Sequence, residues 1–333
     1  MKIYLSRIEL KGLFGYRDIS WDVRPDVNIL GGGNGSGKST IFHICHDLLG
    51  YGFVKDSVYA RKVESVTMDF TNGYRLIWDK QEVDAGFKGD DGYAYHNVEH
   101  GKIGKNGTFQ VQRTRVLDAE RVVNPDDFIG SVLTDFLSSF EQAILDAQKT
   151  DKDEKATDRT YLDVLLTKKI AIRNGKLSQI LINSYGHLEE AEPKGSNRSY
   201  FLTAKDAKYL TLFNRALLDF FGNQYQIKAG MESQITMISR KTNQEIAYQD
   251  LSLGEKEVLL LILTVSNTFD APVIMWLDEP DLGLHVDWQV KLVKCLRSLN
   301  PNIQLFISTH APSMVEGNFK NVDEMSHLIK DRI

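Results

Sequence analysis

One stretch near the start of the chain combines the residue types that hold a phosphate group. It runs from Gly31 to Thr40 and reads Gly-Gly-Gly-Asn-Gly-Ser-Gly-Lys-Ser-Thr. Its glycines give backbone freedom and leave no Cβ between backbone N–H groups and phosphate oxygens. We expect Lys38 to reach the β- and γ-phosphates and Ser39 to ligate Mg²⁺. The residues expected at the phosphates are Gly32, Gly33, Asn34, Gly35, Ser36, Gly37, Lys38, Ser39 and Thr40.

The neighbours of this stretch place it in the context of a P-loop. An apolar run from Val27 to Leu30 precedes it and predicts a strand, and residues 41–49 have the apolar pattern of a helix. A helix that begins at the loop points its positive end at a bound anion. The alternative is a glycine-rich turn that binds no ligand. The bare sequence pattern arises by chance in only about 1% of chains this long, which disfavours this alternative.

A pair of carboxylates, Asp278 and Glu279, follows an apolar strand predicted over Val273 to Leu277. A carboxylate at the carboxyl end of such a strand can hold the Mg²⁺ shell, and a second one can polarise water. This pattern is typical of a Walker B element, with Asp278 as the metal-side ligand and Glu279 as the general base. A helix cap is the alternative, which the upstream P-loop disfavours.

Two further positions could contact a phosphate. His310 ends the next predicted strand, at the same sheet edge as Asp278, and could either sense the γ-phosphate or be a core histidine. Ser252 and Gly254 stand just before an apolar helix, whose N-terminus would form a second anion site. The alternative for Ser252 is an ordinary cap that bonds a free N–H.

The composition is that of an ordinary soluble protein. Its 333 residues, 42% of them hydrophobic, can bury one large core or two smaller ones. The net charge of -5 argues against a chain that coats nucleic acid over its whole surface, although a local basic patch stays possible. No apolar run reaches the roughly 20 residues that span a bilayer. We expect a cytoplasmic protein in which Cys45 and Cys295 are buried packing residues.

The pattern of apolar residues divides the chain into three parts. Residues 1–126 show strand alternation, including a hairpin that turns at Asn72-Gly73, and form an N-terminal lobe with the P-loop. Residues 127–223 have apolar residues at helical spacing and form a helical insertion. Residues 224–333 alternate strands with helices in a C-terminal lobe, which indicates a buried parallel sheet. The prediction is an α/β fold with a mostly parallel core sheet and an antiparallel β subdomain.

Three weaker signals keep their alternatives. The turn Phe14-Gly15-Tyr16-Arg17 could lie near a nucleotide base or be an ordinary hairpin turn. His96 and His100 could bind a metal, but a solvated loop is favoured because no regular ligand spacing supports it. Four basic residues could contact nucleic acid or an acidic partner, with a solvated helix face favoured: Lys168, Lys169, Arg173 and Lys176.

The order of the motifs resembles an ABC-type ATPase head. The P-loop is followed by Leu251–Glu255, Val273–Pro280 and Ile307–His310. Residues 278–285 and 308–313 are similar to the AAA-15 and AAA-21 group, which includes the ATPase of the overcoming-lysogenization-defect nucleases and ATPases of bacterial anti-phage systems of the PARIS and Septu type. That group is related to the heads of Rad50, RecF and SMC proteins.

The resemblance implies a head-to-tail dimer with ATP and Mg²⁺ at its interface. A signature segment of one subunit would contact the γ-phosphate held by Lys38 of the other. Asp281 would lie in the loop that crosses the interface, and His310 would act as the switch histidine. The trans signature residues would be Ser252, Gly254 and Glu255.

Some positions depart from this pattern. Val286 replaces a common proline and Ala311 a common serine. The chain ends soon after His310, so we expect no nuclease domain of its own. The glutamine that joins metal and water in this family has no convincing counterpart, and the alternative occupant of that junction is the segment Asp118 to Arg121. The glutamine candidates are Gln81, Gln110 and Gln112.

Two functions stay open as hypotheses. In the first, a homodimer or higher homo-oligomer forms around ATP and regulates a separate effector, a nuclease or toxin, as in anti-phage systems. In the second, a RecF-like or SMC-like ATPase binds DNA in repair or chromosome maintenance, which requires a basic face and a salt-dependent affinity. The overall acidity favours the first. A transporter subunit fits poorly with the extra hairpins, and no membrane partner is expected.

Overall fold

The computed structural model describes residues 4–50, 58–80, 97–103, 109–115, 133–137, 163, 166–178, 203–228, 235–268 and 270–332. The chain folds into two compact units. The first unit comprises residues 1–138, 271–280 and 302–333, and the second comprises 139–270 and 281–301. Each unit therefore contains segments that are far apart in sequence.

The larger sheet of the first unit is antiparallel. Its turn at Gly73, whose φ is 85°, joins two strands as the Asn-Gly signal predicts. The sheet order is β15-β2-β1-β4-β5-β6-β7. These strands are β1 (Leu5–Leu13), β2 (Arg17–Asp22), β4 (Ser65–Phe70), β5 (Tyr74–Asp79), β6 (Asn97–Ile103), β7 (Phe109–Arg115) and β15 (Ile329–Asp331).

The second sheet of this unit is parallel and carries the motifs. All residues of its central strands, β12 and β13, are buried, as expected for strands apolar on both faces. The sheet order is β14-β3-β13-β12-β8, and every pairing is parallel. Its strands are β3 (Val27–Gly31), β8 (Leu133–Leu137), β12 (Val273–Asp278), β13 (Ile303–Ser308) and β14 (Val322–Glu324).

The prediction of helix at the start of the insertion is wrong for residues 133–137. This segment is strand β8, which lies beside β12 with Leu133 opposite Val273 and Leu137 opposite Leu277. A short apolar run suits a buried strand as well as a helix, so periodicity alone does not distinguish them. The backbone groups of β12 on that side provide the partners that decide in favour of a strand.

Four aromatic side chains fix the helix that follows the P-loop. This helix, α1, spans Lys38–Gly50 and buries Phe42. Phe42 packs on Trp276 of β12 with ring centroids 5.3 Å apart, and Trp276 stacks on Phe306 of β13 at 4.2 Å. Trp21 of β2 meets Phe306 edge-on at 5.5 Å. The core therefore ties α1 to the parallel sheet and to the antiparallel sheet.

The second unit consists of helices and a small antiparallel sheet of order β11-β10-β9. As the helical spacing predicts, Phe213, Leu217 and Phe221 of one helix are fully buried. The helices are α2 (166–178), α3 (Ala204–Phe221), α4 (Leu253–Ser266) and α5 (Val286–Leu299). The strands are β9 (Tyr225–Lys228), β10 (Thr236–Ser239) and β11 (Glu245–Ile246).

Short elements complete the described part of the chain. Two are single-turn helices, α6 (Pro312–Val315) and α7 (Met325–Leu328). Three are 3-10 turns: Ala60–Lys62, Tyr248–Asp250 and Phe319–Asn321. None of the described helices combines the length and apolarity needed to cross a membrane.

Both cysteines are free and buried, as predicted. Burial raises the pKa of the Cys45 thiol far above its ordinary value. Burial also raises the pKa of the Cys295 thiol to about 12. Both thiols therefore stay protonated at neutral pH and act as packing groups.

Candidate functional site

The P-loop connects the end of β3 to the start of α1. Gly32, Gly35 and Gly37 have φ values of 147°, 74° and 105°. These angles lie in a region that L residues with a Cβ rarely adopt, so the loop requires glycine at these positions. A Cβ on Gly32 would also lie 2.9 Å from the Cβ of Met325. The backbone freedom that the sequence predicts for the loop is therefore used at Gly32, Gly35 and Gly37.

The Lys38 ammonium group lies inside the curve of this loop. Its Nζ donates hydrogen bonds to the carbonyl oxygens of Gly32 at 2.8 Å and Gly33 at 3.2 Å. The same Nζ lies 3.0 Å from Nε2 of His310. Burial lowers the pKa of Lys38, although the negative charge of Glu279 and other nearby carboxylates opposes the shift. The structure therefore brings the P-loop lysine and His310 together.

Oxygen ligands suitable for Mg²⁺ converge at the end of β12. The Ser39 hydroxyl donates to Oδ1 of Asp278 at 2.9 Å, and Asp278 is only 6% exposed. No group of three or more His, Cys, Asp or Glu side chains in the described ranges could hold a metal alone. This donor set fits Mg²⁺, which commonly binds one carboxylate, phosphate oxygens and several waters.

Ser308 contacts both predicted Walker B residues, Asp278 at its carboxylate and Glu279 at its backbone, although the sequence analysis gave it no separate role. Its hydroxyl donates to Oδ1 of Asp278. The backbone N–H of Glu279 donates to the Ser308 carbonyl and hydroxyl oxygens, each at 3.0 Å. The sequence could have indicated this role, because Ser308 ends the predicted strand that follows Asp278 in the parallel sheet. In the structure the two residues lie opposite each other in the pairing of β12 with β13.

Glu279 has a strained backbone. Its φ is 50°, a left-handed conformation that costs of order 1–3 kcal/mol for a residue with a Cβ. Its Oε1 lies 3.5 Å from Nε2 of His310, which also faces Lys38. Strain of this kind concentrates at functional sites. The predicted base is therefore held in an unusual conformation next to the predicted switch histidine and the P-loop lysine.

A cavity of about 430 Å³ lies over these groups. Its wall includes Phe14, whose ring packs against Gly37, with Cε2 3.2 Å from the position of a Cβ there. The backbone N–H of Phe14 donates to the Lys62 carbonyl at 2.7 Å. The turn at Phe14 joins β1 to β2 as a hairpin and also lies beside the P-loop. Its place near a nucleotide base stays a prediction. The residues that line the cavity are Phe14, Asn34, Gly35, Ser36, Gly37, Lys38, Ser39, Thr40, Glu279 and His310.

The predicted signature segment begins helix α4 in the second unit. Oε2 of Glu255 accepts hydrogen bonds from the backbone N–H and the hydroxyl of Ser252, both at 2.7 Å. The Tyr225 hydroxyl donates to Oε1 of the same carboxylate at 2.9 Å. Ser252 is exposed, whereas Glu255 is buried. Glu255 therefore orients the first turn of α4 and leaves Ser252 at the surface.

The loop that carries Asp281 lies on α4. A Cβ on Gly254 would come within 2.3 Å of the Gly283 carbonyl oxygen, so the close approach requires glycine. Nε2 of Gln289 donates to the carbonyls of Asp281 at 3.1 Å and Leu284 at 3.0 Å. The loop is therefore held between α4 and α5.

The predicted solvated helix face of Lys168, Lys169, Arg173 and Lys176 is wrong for Arg173. Arg173 is fully buried, and its guanidinium lies 4.7 Å from the centre of the Phe213 ring. Burial lowers the pKa of Arg173 and that of Lys176. Lys168 is exposed, and Lys169 is half-buried. Arg173 is therefore a core residue and does not belong to a solvated face.

Several predicted positions lie outside the described residues. These are Gln81, His96 and the segment from Asp118 to Arg121. His100 lies in strand β6, and Gln110 and Gln112 lie in strand β7, and only the backbone of these strands is described. The interpretation of a histidine metal site and the glutamine role therefore stay predictions.

Most of the chain matches a known family by sequence, although the P-loop lies before the matched range. The family model described as "AAA domain, putative AbiEii toxin, Type IV TA system" matches residues 78–316. The chain belongs to this AAA-21 family, which confirms the resemblance inferred from the motifs.

Three curated relatives extend the comparison. The retron Vc95 probable ATPase of Vibrio cholerae serotype O1 biovar El Tor is 27% identical over 36% of this chain and 26% of its own length. The Septu protein PtuA of Bacillus thuringiensis is 20% identical over 94% of this chain and 73% of its own length. The DNA replication and repair protein RecF of Marinomonas sp. (strain MWYL1) is 22% identical over 94% of this chain and 92% of its own length. The match therefore spans about a quarter of the retron ATPase.

Proposed function

We propose that this protein is a Mg²⁺-dependent ATPase that dimerises around ATP and thereby regulates a separate effector protein in anti-phage defence. The observation that carries the proposal is the convergence of three pairs of groups. Lys38 lies against His310, Ser39 bonds Asp278, and Glu279 lies next to His310. Phosphate binding, metal binding and water activation need these groups in one place.

Each group has a role that follows from its chemistry. The Lys38 ammonium and the N-terminus of α1 would bind the β- and γ-phosphates. Ser39 and Asp278 would hold Mg²⁺, which supplies charge neutralisation at phosphate oxygens when bound. Glu279 would orient a water molecule, accept its proton as the oxygen attacks the γ-phosphorus, and leave ADP and phosphate as products. His310 would donate a hydrogen bond to the γ-phosphate.

Dimerisation is proposed because the second unit presents an anion-binding feature of its own. Ser252 is exposed at the N-terminus of the 14-residue helix α4. A helix of this length favours negative charge at that end. In the signature segment of Ser252, Gly254 and Glu255, Ser252 and Gly254 of one subunit would meet the γ-phosphate held by Lys38 of the other, while Glu255 orients the turn. Asp281 would lie in the loop that crosses the interface.

The biological role is proposed from the relatives. A relative named as a retron ATPase and another named as a Septu protein favour a defence system with a separate effector. The RecF relative favours a second candidate, a DNA-binding ATPase in repair, because the match covers most of both chains. The two candidates share ATP hydrolysis and differ in the molecule that the ATP-bound dimer recruits.

One experiment tests the shared chemistry and separates the two candidates. A tagged Glu279→Gln variant would be purified with ATP and Mg²⁺ from cells that carry the neighbouring genes. A stoichiometric second protein is expected for the effector role, whereas duplex DNA alone would favour the repair role. Lys38→Ala is the matched control, because it should recover neither. Wild-type ATP hydrolysis by Lys38→Ala would contradict the assignment of the site.

A second variant tests the trans contact. Ser252→Arg places a large cation at an exposed position, so the fold should tolerate it. The variant is expected to lose ATP-dependent dimerisation and hydrolysis while it still binds nucleotide. Unchanged dimerisation, measured by light scattering with ATP, would contradict the proposed interface.

A further inference from the structure

A buried carboxylate, Glu257, lies one turn into α4 and has no role in the proposed ATPase chemistry. The residue is 7% exposed, and its Oε2 has no hydrogen-bond partner among the described residues. A buried polar atom without a partner is costly and calls for an explanation. Glu257 therefore differs from Glu255, whose two oxygens are both bonded.

Glu257 faces the loop that carries Asp281. Leu253 and Glu257 are four residues apart and lie on the same face of α4. A Cβ on Gly283 would lie 3.9 Å from Cδ2 of Leu253 and 4.0 Å from Oε2 of Glu257. Gly283 has a φ of 80°, so the loop turns directly over this carboxylate. The unpartnered oxygen thus points at the underside of the loop.

The contacts of this loop make its position sensitive to what lies beneath it. Gly254 allows the Gly283 carbonyl to approach α4 closely, and Gln289 holds the loop from α5. Leu284 is 7% exposed and packs near Gly254. If Glu257 lost its proton, its negative charge would lie below Gly283, between these contacts and with little access to water.

Asp281 is the charged group that acts on Glu257. Burial raises the pKa of Glu257 to about 8, and the negative charge of Asp281 adds to the shift. On the same helix, Lys256 pairs with Asp163 at 2.9 Å. Glu255 is bonded to Ser252 and Tyr225, while from α5 Gln289 is neutral and His285 is exposed beside Asp287.

We propose that Glu257 is a positioning residue that is protonated when the loop of Asp281 to Leu284 lies on α4, and that loss of this proton releases the loop. The neutral carboxyl group tolerates burial, whereas the carboxylate requires water and repels Asp281. The proton passes to solvent, and no other reactant is needed. The effect on hydrolysis rests on the proposed function, in which this loop crosses the dimer interface.

Thiol labelling tests the release of the loop without nucleotide. Both native cysteines are buried, so Leu284→Cys would provide a thiol that is protected only while the loop is seated. Its labelling rate would be compared with that of Leu284→Cys combined with Glu257→Gln, at the same pH, so that thiol ionisation cancels. With a pKa of about 8, roughly nine-tenths of Glu257 would be ionised at pH 9. The single variant is expected to label several-fold faster at pH 9 and equally at pH 6.5.

The outcome of the labelling decides the inference. Equal rates at both pH values would overturn it. A combination of Leu284→Cys with Glu245→Gln is the matched control, because Glu245 is an exposed carboxylate on β11 and should leave the pH 9 rate unchanged. The same control distinguishes release of the loop from a general effect of removing one negative charge.

The pH profile of ATP hydrolysis separates this inference from the proposed function. The wild-type rate is expected to fall by about tenfold per pH unit above pH 8, and Glu257→Gln to remove that fall. Loop release in the labelling experiment with no hydrolysis at any pH would sink the ATPase proposal and leave the positioning role standing. Hydrolysis with the same pH profile in wild type and Glu257→Gln would overturn the positioning role.

Discussion

The Ser39 hydroxyl donates a hydrogen bond to Oδ1 of Asp278 at 2.9 Å, across a separation of 239 residues in the chain. The contact exists because β3, which leads into the P-loop, and β12, which ends at Asp278, flank β13 in the parallel sheet. Parallel strands end at the same edge of a sheet, so residues that follow them can meet there. The order of the strands in the sheet therefore brings the Ser39 hydroxyl and the Asp278 carboxylate together.

Replacement of either oxygen should change the response to Mg²⁺. Asp278→Asn removes the charge and Ser39→Ala removes the hydroxyl, so each variant should need more Mg²⁺ for half-maximal hydrolysis. Removal of an outer-shell partner typically costs about 10- to 100-fold in metal affinity or activity, so loss of a metal ligand should cost at least this much. A Mg²⁺ titration of the hydrolysis rate measures the shift, and EDTA should abolish the wild-type rate. Unchanged titrations would place the metal elsewhere.

Glu279→Gln should separate ATP binding from hydrolysis. The amide cannot accept the proton of the attacking water, and general bases contribute about 10²- to 10⁴-fold. The expected result is a rate reduced by that order with ATP still bound, measured by phosphate release and by nucleotide titration. Glu316→Gln, at an exposed position, is the control for removal of one carboxylate. Normal turnover by Glu279→Gln would assign the base to another group.

The sequence predicted the elements that local patterns define. The buried strands β12 and β13, the helices α4 and α5 and the Asn-Gly hairpin are confirmed because a continuous apolar run or a turn pair suffices to identify them. The prediction of a parallel sheet placed Asp278 and His310 at the same sheet edge. The division at residues 126 and 223 and the trans role of the signature segment stay predictions.

The features that were missed depend on contacts between distant segments. Residues 133–137 join the sheet because β12 offers backbone partners, which no local pattern reveals. Arg173 is buried because its guanidinium packs on Phe213 of another helix. Glu257 had no role in the sequence-based predictions, and it is buried beneath the loop at Gly283. Tertiary packing decided each case.

Gly254→Ala should displace the loop from α4. The added methyl group would overlap the Gly283 carbonyl oxygen, which lies 2.3 Å from the Cβ position and belongs to the backbone. Overpacking of this kind costs about 1–3 kcal/mol in the free energy of unfolding, which urea denaturation would measure. Gly175→Ala on α2 is the matched control, because nothing lies within 4 Å of its Cβ position. The control should be neutral or slightly stabilising.

The stability of the second unit should depend on pH through Glu257. The pKa of this carboxyl group is raised from 4.5 to about 8 in the folded protein, so between these values the folded state binds more protons than the unfolded state. Stability therefore falls as pH rises through this window, by up to about 5 kcal/mol. Glu257→Gln should lose this dependence and become more stable than the wild type at pH 8 to 9.

Urea denaturation at pH 6, 7, 8 and 9 measures this dependence. The gap in unfolding free energy between Glu257→Gln and the wild type should widen with pH in favour of the variant. Glu245→Gln should follow the wild-type curve, because its carboxylate is exposed in both the folded and the unfolded state. Parallel curves for all three proteins would mean that Glu257 is already ionised below pH 6, and the carboxylate would then need a cationic partner to explain its burial.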